Sequence, residues 1–262
     1  MNTVFHITHV KSGSQWVYQI LEECASTRIV KPRVKVAQFY ETPILPGMVY
    51  PTIYVPYDRF APTFIPKVKP TPDAPAFQNW QNFVEGKMPW KAFVVVRDLR
   101  DTLISLYFSL KVSHEIISNN VANEHRLLSE MSFEDGILHL FGAGNGKLIA
   151  RIQTSWLAAS KRGEARLFRY EDMIADEIGQ YEQIMDYCEI DIPRARLHEI
   201  VTRCSFAKQT GRKPGQEDVS SHFRKGISGD WKNHFTEKIT AEFKKQFGQV
   251  LIDMGYEENL EW

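Results

Sequence analysis

The sequence lacks an excess of charge, because 32 aspartates and glutamates balance its 32 lysines and arginines. General affinity for nucleic acid needs a strong positive excess, so we expect no nucleic-acid partner and only local basic sites. Cysteine is scarce as well: Cys24, Cys188 and Cys204 lie far apart, and no CxxC pair occurs. This spacing suggests neither a zinc site nor a disulfide framework, and no other metal-ligand cluster is evident.

Long apolar runs are also missing. No stretch approaches the roughly 20 apolar residues that span a bilayer. The first residues, MNTVFHIT, lack the basic region and the apolar run of a signal peptide. We therefore expect a cytoplasmic protein with reduced cysteines and no membrane span.

Short apolar runs alternate with helical patterns along much of the chain. Residues Val4 to Thr8 predict a buried strand, and Trp16, Val17 and Ile20 begin a helical spacing. KAFVVVRD at 91–98 is typical of a central parallel strand. This alternation predicts an α/β fold with a central parallel sheet flanked by helices, and the length fits a single domain over 1–262.

Residues 41–90 differ from the rest, since they contain ten of the thirteen prolines and many aromatic residues. No long helix can run through prolines spaced in this way. The composition predicts an irregular, partly extended insertion. Its aromatic residues fit either an apolar pocket for a small molecule or ordinary core packing.

The stretch VKSGSQW, which follows the first strand, has the composition of an anion-binding loop. The N-terminus of a helix has free backbone N–H groups and a partial positive charge. Gly13 allows the backbone to approach a ligand, and Lys11, Ser12 and Ser14 offer side-chain donors. The alternative is a plain strand–turn–helix with a solvated lysine.

Two further stretches suit phosphate. Arg97 ends the FVVV strand, at the edge where open α/β sheets bind ligands, and Ser105 follows on the next helix. Arg224 and Lys225 adjoin Gly226, which places charge beside exposed backbone amides. The alternatives are an Arg97 paired with a nearby aspartate and a solvated basic loop.

Together these stretches resemble the sulfotransferases that use 3′-phosphoadenosine-5′-phosphosulfate. THVKSGSQW at 8–16 is similar to their 5′-phosphosulfate loop, and RDLRDTLIS at 97–105 to their 3′-phosphate motif. FRKGISGDWKNHFT at 223–236 is similar to their C-terminal signature, the most specific of the three. RYEDM and CSF also stand in the family's order. The resemblance implies a P-loop-like three-layer fold.

The resemblance also implies site residues. Lys11 would contact the oxygen that bridges phosphate and sulfate, Trp16 and Phe206 would stack on the adenine, and Tyr170 would lie near its edge. The remaining nucleotide contacts fall in the 5′ loop and in the 3′-phosphate motifs, and they are Ser12, Gly13, Ser14, Gln15, Arg97, Ser105, Arg224, Lys225 and Gly226. The co-substrate would leave as adenosine 3′,5′-bisphosphate, and no metal is needed.

The catalytic base is the main departure from the family. Cytosolic members have a histidine in a Lys-Thr-His stretch upstream of the Arg97 strand, and this sequence has no such stretch. Asp58 is the first candidate, unless it pairs with Arg59, and His9 is the second, unless it fills the core. His114 and Glu41 are further possibilities. His9-Val10 and Cys204 replace the family's Tyr-Pro and a threonine.

These features predict a sulfotransferase that moves a sulfuryl group to a hydroxyl or amine of a small molecule, apolar or aromatic in character. One alternative is a nucleotide-binding module that has lost catalysis. Another is a P-loop-type kinase, against which the absence of GxxxxGK[ST] weighs. The sequence leaves the acceptor and the oligomeric state open.

Overall fold

The computed structural model describes residues 1–31, 44–60, 85–113, 118–142 and 144–262. The chain divides into two compact units. The first contains Met1–Val96 and Ser155–Cys204, and the second contains Arg97–Thr154 and Ser205–Trp262. His114 and Glu41 therefore lie outside the described residues.

The first unit contains a parallel sheet with strand order β2-β1-β3-β4, and these strands are β1 (Thr3–Ile7), β2 (Val49–Ile53), β3 (Trp90–Val96) and β4 (Arg166–Arg169). In the register, Phe5 lies opposite Ala92, and Val94 lies opposite Leu167. Parallel register brings the carboxyl ends of all these strands to one edge. The predicted α/β fold with a central parallel sheet is confirmed.

Strand β2 lies within the proline-rich range that we expected to be irregular. It pairs along β1, with Val4 opposite Val49, so this part of the range belongs to the sheet. Pro51 fits here because β2 is an edge strand of the described sheet, where a missing N–H costs little. Residues 61–84 of the same range lie outside the described residues.

The helices are described over the following bounds in chain order: α1 (Ser14–Cys24), α2 (Tyr57–Phe60), α3 (Leu99–Phe108), α4 (Asn119–Glu130), α5 (Phe133–Gly142), α6 (Gly144–Lys161), α7 (Tyr170–Ala175), α8 (Glu177–Cys188), α9 (Arg194–Cys204), α10 (Phe206–Thr210) and α11 (Glu237–Asp253). A π-helical turn extends α3 over Ser109–Ser113, and a 3₁₀ turn covers Asp230–Asn233. No described helix is both long enough and apolar enough to cross a membrane.

Both faces of the sheet are covered within the first unit. Val4 and Phe93 pack on one face against buried residues of α1, α8 and α9. Successive side chains of a strand point to opposite faces. On the other face, the ring of Phe5 lies 5.0 Å from that of Phe60, which lies 5.0 Å from that of Trp156. The layers of this unit are therefore helix, sheet and helix.

The second unit is built from helices around a buried arginine. Arg100 forms 2.6 Å ion pairs with Asp98 and Glu257. Its guanidinium lies 3.9 Å from the ring centroid of Trp231 and 4.4 Å from that of Trp262. The two rings are nearly perpendicular, with centroids 5.4 Å apart, and the guanidinium packs against both, which satisfies its charge and its packing together. Arg100 therefore ties α3 to the C-terminal signature at 223–236.

Candidate active site

The loop after β1 has the backbone geometry of an anion site. Lys11 has φ 65° and Gly13 has φ 83°, so two left-handed residues turn the chain directly into α1. No side chain caps this helix end, and its first turn contains no acidic residue. The N–H groups of the first turn and the partial positive charge of the helix therefore remain available for an anion.

Space beside this loop is limited. A Cβ atom added at Gly13 would lie 3.1 Å from the ring of Tyr170, in addition to the strain of its positive φ. Tyr170 begins α7 and is half-buried. The ring of Tyr170 therefore packs against the loop at Gly13.

The side chains of Thr8, His9 and Ser12 stabilise the loop from inside. Ser12 donates a 2.8 Å hydrogen bond to the carbonyl of His9 and shares a short one with the hydroxyl of Thr8. Thr8 in turn donates to the carbonyl of Val95 on β3. All three side chains are fully buried. The hydroxyl of Ser12 therefore fixes the loop on the sheet.

Ser14, at the start of α1, contacts a residue that the sequence analysis did not single out. Its Oγ lies 2.8 Å from the hydroxyl oxygen of Tyr54. Tyr54 follows β2, and Ile53 at the end of β2 is paired with Ile7 at the end of β1. Burial raises the pKa of Tyr54 to about 12, although the bond with Ser14 opposes the rise. Tyr54 therefore keeps its proton at neutral pH.

Trp16 packs within the first unit and is 7% exposed. Its ring meets the rings of Tyr170 and Tyr181 edge-on, at centroid distances of 6.4 Å and 5.3 Å. Its indole N–H is buried and has no hydrogen-bond partner among the described residues. A buried donor of this kind is a feature that a bound ligand can satisfy. Gln15, beside it, is half-buried.

The 3′-phosphate motif begins at Arg97, directly after β3. Arg97 Nη2 donates to the carbonyl of Ile227, at 3.1 Å, and Gln153 Nε2 donates to the carbonyl of Arg97, at 2.7 Å. Ser105 lies on α3 and is 8% exposed. Asp98 forms an ion pair with Arg100. Arg97 therefore joins the start of the 3′-phosphate motif to the signature loop within the second unit.

A second link between these two motifs was not predicted. The buried carboxylate of Asp101, on α3, accepts hydrogen bonds from the backbone N–H groups of Gly229, at 2.5 Å, and Trp231, at 2.8 Å. Burial raises the pKa of Asp101 above its usual range, against the opposing effect of Arg97. Asp101 therefore fixes the backbone of the signature on the helix that carries Ser105.

The basic pair of the signature is fixed rather than solvated. Arg224 Nη2 and Lys225 Nζ each lie 2.6 Å from Asp230, and Arg224 also pairs with Glu217. The side chain of Arg224 is 9% exposed and that of Lys225 is 19% exposed. Burial alone would raise the pKa of Asp230, but hydrogen bonds from Lys225 and Arg224 hold it well below its usual range. The alternative of a solvated basic loop is wrong.

Phe206 lies against the glycine of the same signature. Gly226 has φ 67°, and a Cβ atom added there would lie 2.6 Å from the ring of Phe206. The guanidinium of Arg212 lies 5.3 Å from the centroid of that ring. Phe206 is half-buried, so part of its ring is accessible for stacking.

The two described candidates for the base differ in their burial. Asp58 lies on α2 and is exposed, with the exposed Arg59 beside it. His9 is fully buried, and its Nδ1 lies 2.9 Å from the carbonyl of Val10. The sequence placed Tyr54 only among the aromatic residues of the insertion. Its contact with Ser14 depends on the pairing of β1 with β2, which no local pattern reveals.

Comparison with known proteins identifies the family of this chain. A sequence profile of the sulfotransferase domain matches residues 2–255. Sulfotransferase 1 family member D1 of Mus musculus is 28% identical over 253 residues, which cover 86% of this chain and 75% of the relative. Cytosolic sulfotransferase 3 of Arabidopsis thaliana is 27% identical over 161 residues, which cover 55% and 48%.

Solved structures show the same fold. The mouse sulfotransferase SULT7A1 complexed with PAP has a TM-score of 0.62 at 17% identity, over 99% of this chain and 90% of that one. The chain thus belongs to the sulfotransferase domain family. It is an enzyme of the type that takes a sulfuryl group from 3′-phosphoadenosine-5′-phosphosulfate. The kinase alternative is set aside.

Proposed function

We propose that the loop from Lys11 to Gln15 binds the 5′-phosphosulfate of the co-substrate. The observation that carries this proposal is the pair of left-handed residues, Lys11 and Gly13, leading into a helix without an acidic first turn. Such a terminus favours a multiply charged anion. Lys11 adds a positive side chain at the start of the turn.

The 3′-phosphate is assigned to residues of the second unit. Arg97, Ser105, Arg224, Lys225 and the backbone of Gly226 are the proposed contacts. Arg224 and Lys225 are already oriented by Asp230, so little side-chain freedom is lost when a phosphate binds. Trp16, Phe206 and Tyr170 are the proposed adenine contacts, supported by the buried indole N–H of Trp16 and the half-buried ring of Phe206.

The chain's own residues would assist transfer mainly by charge. As the acceptor attacks sulfur, the bond from sulfur to the bridging oxygen breaks, and its electron pair stays on the 5′-phosphate. Lys11 and the N–H groups of α1 would stabilise that growing charge. The acceptor's proton must leave, and Asp58 is the proposed base, with His9 as the second candidate.

The acceptor is proposed to be a small apolar or aromatic molecule with a hydroxyl or amine. Retinol dehydratase, solved with retinol and PAP and also with androsterone, shares the fold at a TM-score of 0.50 and 16–17% identity. The name of the Arabidopsis relative supports a cytoplasmic location.

Calorimetry with three nucleotides tests the nucleotide assignment. Adenosine 3′,5′-bisphosphate should bind far more tightly than AMP or ADP, because only the bisphosphate has a 3′-phosphate. Arg224→Ala should remove charge-assisted hydrogen bonds worth roughly 1.5–3 kcal/mol and weaken the bisphosphate much more than AMP. Lys213→Ala, an exposed lysine of the same loop, is the matched control. Equal affinity for AMP and the bisphosphate would refute the 3′-phosphate assignment.

Turnover tests the reaction itself. The enzyme should transfer sulfuryl from 3′-phosphoadenosine-5′-phosphosulfate to at least one member of a panel of phenols, alcohols and amines. Tight binding of the bisphosphate without turnover on the whole panel would favour the nucleotide-binding module that has lost catalysis.

A further inference from the structure

Tyr54 and Ser14 are brought together by the pairing of two strands. Ile7 and Ile53 are partners in the ladder between β1 and β2, so the residues that follow them leave the sheet side by side. The loop after β1 leads to Ser14, and Tyr54 is the first residue after β2. Both side chains are buried, at 6% and 8% exposure.

The hydroxyl of Ser14 has one hydrogen-bond partner among the described residues, the hydroxyl of Tyr54 at 2.8 Å. Either oxygen can donate in such a pair. Burial raises the pKa of the Tyr54 phenol to about 12, so Tyr54 keeps a proton that it can donate throughout the neutral pH range. When the Tyr54 hydroxyl donates to Ser14 Oγ, the hydroxyl hydrogen of Ser14 can point toward a different acceptor.

We propose that Tyr54 is a positioning residue for sulfuryl transfer: its hydroxyl donates to Ser14 Oγ and directs the Ser14 proton to the 5′-phosphosulfate. The inference rests on the proposed function, which places Ser14 in the phosphosulfate loop. Hydrogen bonds in a chain polarise one another, so the Tyr54 hydroxyl makes Ser14 a stronger donor. Tyr54 acts through Ser14 and does not itself accept the proton of the acceptor.

The effect should fall on catalysis more than on binding. Negative charge on the 5′-phosphate grows as the bond from sulfur to the bridging oxygen breaks and the bond from the acceptor to sulfur forms. A donor directed at that phosphate is therefore stronger in the transition state than in the ground state. Loss of the Tyr54 hydroxyl should lower kcat while the affinity for intact 3′-phosphoadenosine-5′-phosphosulfate, in which that charge has not yet developed, changes little.

The test uses steady-state kinetics of Tyr54→Phe, Ser14→Ala and the double variant, with the affinity of each for 3′-phosphoadenosine-5′-phosphosulfate in the absence of acceptor. Tyr54→Phe should lower kcat about tenfold and change the dissociation constant of this co-substrate less than about threefold. In the Ser14→Ala background, Tyr54→Phe should cause no further loss, because the residue through which it acts is gone.

Tyr50→Phe is the matched control. Tyr50 lies on β2, its hydroxyl accepts a 2.7 Å bond from the backbone N–H of Leu45, and its ring lies 5.2 Å from that of Phe5. Like Tyr54→Phe, the Tyr50→Phe variant loses one buried tyrosine hydroxyl that is hydrogen-bonded. The kcat of Tyr50→Phe should match that of the wild type. An equal fall in kcat in Tyr50→Phe and Tyr54→Phe would mean a structural effect and would overturn the proposal.

The pH profile and two serine variants complete the test. The shape of the kcat/KM profile should be the same in Tyr54→Phe and wild type, and a lost ionisation would mean that Tyr54 is a base. Ser14→Thr, which keeps a hydroxyl, should retain a larger part of kcat than Ser14→Val, which removes it. This comparison does not depend on the folding of Tyr54→Phe. Equal kcat in the two serine variants would overturn the proposal.

Different results would refute the proposed function and the role of Tyr54. A wild-type enzyme that binds the bisphosphate no better than AMP and turns over no acceptor would refute the proposed function, and the role of Tyr54 with it. A wild-type enzyme that passes both assays, combined with a Tyr54→Phe variant of normal kcat, or with losses that add in the double variant, would refute only the role of Tyr54.

Discussion

The carboxylate of Asp101 accepts a 2.8 Å hydrogen bond from the backbone N–H of Trp231. A second bond, from Gly229, makes this one aspartate the acceptor for two amides of the signature loop. Helix α3 and the loop with Arg224 and Lys225 are therefore held together by a buried carboxylate, and each is proposed to contact the same phosphate.

Asp101→Asn should weaken the binding of adenosine 3′,5′-bisphosphate by about 5- to 50-fold. The amide of asparagine has the same shape but has one oxygen, no charge and an N–H group that would face two backbone donors. Calorimetry measures the affinity, and thermal melting monitors the fold. Asp253→Asn, an exposed change on α11, should leave both unchanged. Unaltered affinity in a folded Asp101→Asn would show that the loop holds its shape without this residue.

Lys11→Ala should lower kcat by about 10²–10³ while it weakens the binding of intact 3′-phosphoadenosine-5′-phosphosulfate much less. The charge of Lys11 is needed most when the bridging oxygen departs, and the intact co-substrate lacks the negative charge that then develops on this oxygen. Single-turnover kinetics and calorimetry separate the two effects. Lys147→Ala removes an exposed lysine and serves as the control. If only KM rose and kcat were constant, Lys11 would be a binding residue.

Asp58→Asn should reduce turnover by roughly 10²–10⁴ and leave nucleotide binding intact if Asp58 is the base, as proposed. His9→Gln should then have the smaller effect on chemistry. Arg59→Gln changes the adjacent exposed side chain and should leave turnover unchanged. Because Asp58 is exposed, normal turnover in Asp58→Asn would move the search to His9, or to an amine acceptor that needs little help from a base.

His6 should make stability depend on pH. Burial lowers the pKa of His6 from 6.5 to about 4, against the raising effect of its hydrogen bond with Pro51. Between these values the unfolded chain binds a proton that the folded chain does not. Stability should therefore be complete above pH 6.5 and fall as the pH drops to 4, by about 3 kcal/mol in total.

Urea unfolding at about pH 7.5 and about pH 5 measures this dependence. His6→Phe should show a smaller loss between the two pH values than the wild type, even if it is less stable overall. His222→Gln, an exposed histidine, should keep the wild-type dependence. An identical loss in His6→Phe and wild type would assign the acid sensitivity to other groups.

Patterns confined to one stretch of chain predicted the main elements well. The run FVVV gave β3 because a central parallel strand is buried on both faces, and the spacing after Gln15 gave α1. The basic signature was recognised from residue order alone. In these segments, the structure that the local sequence favours is the one that the folded protein adopts.

Features that depend on distant pairing could not be predicted in the same way. The sequence did not predict β2 because this segment contains Pro51, which lacks a backbone N–H. A proline is tolerated here because β2 lies at an edge of the described sheet. The contact of Ser14 with Tyr54 needs the register of β1 on β2, and the role of Asp101 needs the packing of α3 on a loop about 130 residues further along the chain. Each is set by tertiary structure, for which one sequence has no local signal.

The packing of Arg100 against two indole rings also makes the second unit suitable for fluorescence measurements. Trp231 belongs to the signature loop, and it shares the guanidinium of Arg100 with Trp262. Any movement of that loop on binding a nucleotide would alter the surroundings of two of the six tryptophans in the chain. Intrinsic fluorescence should therefore report occupancy in real time, without a label, and Trp262→Phe would separate the signal of the loop from that of its neighbour.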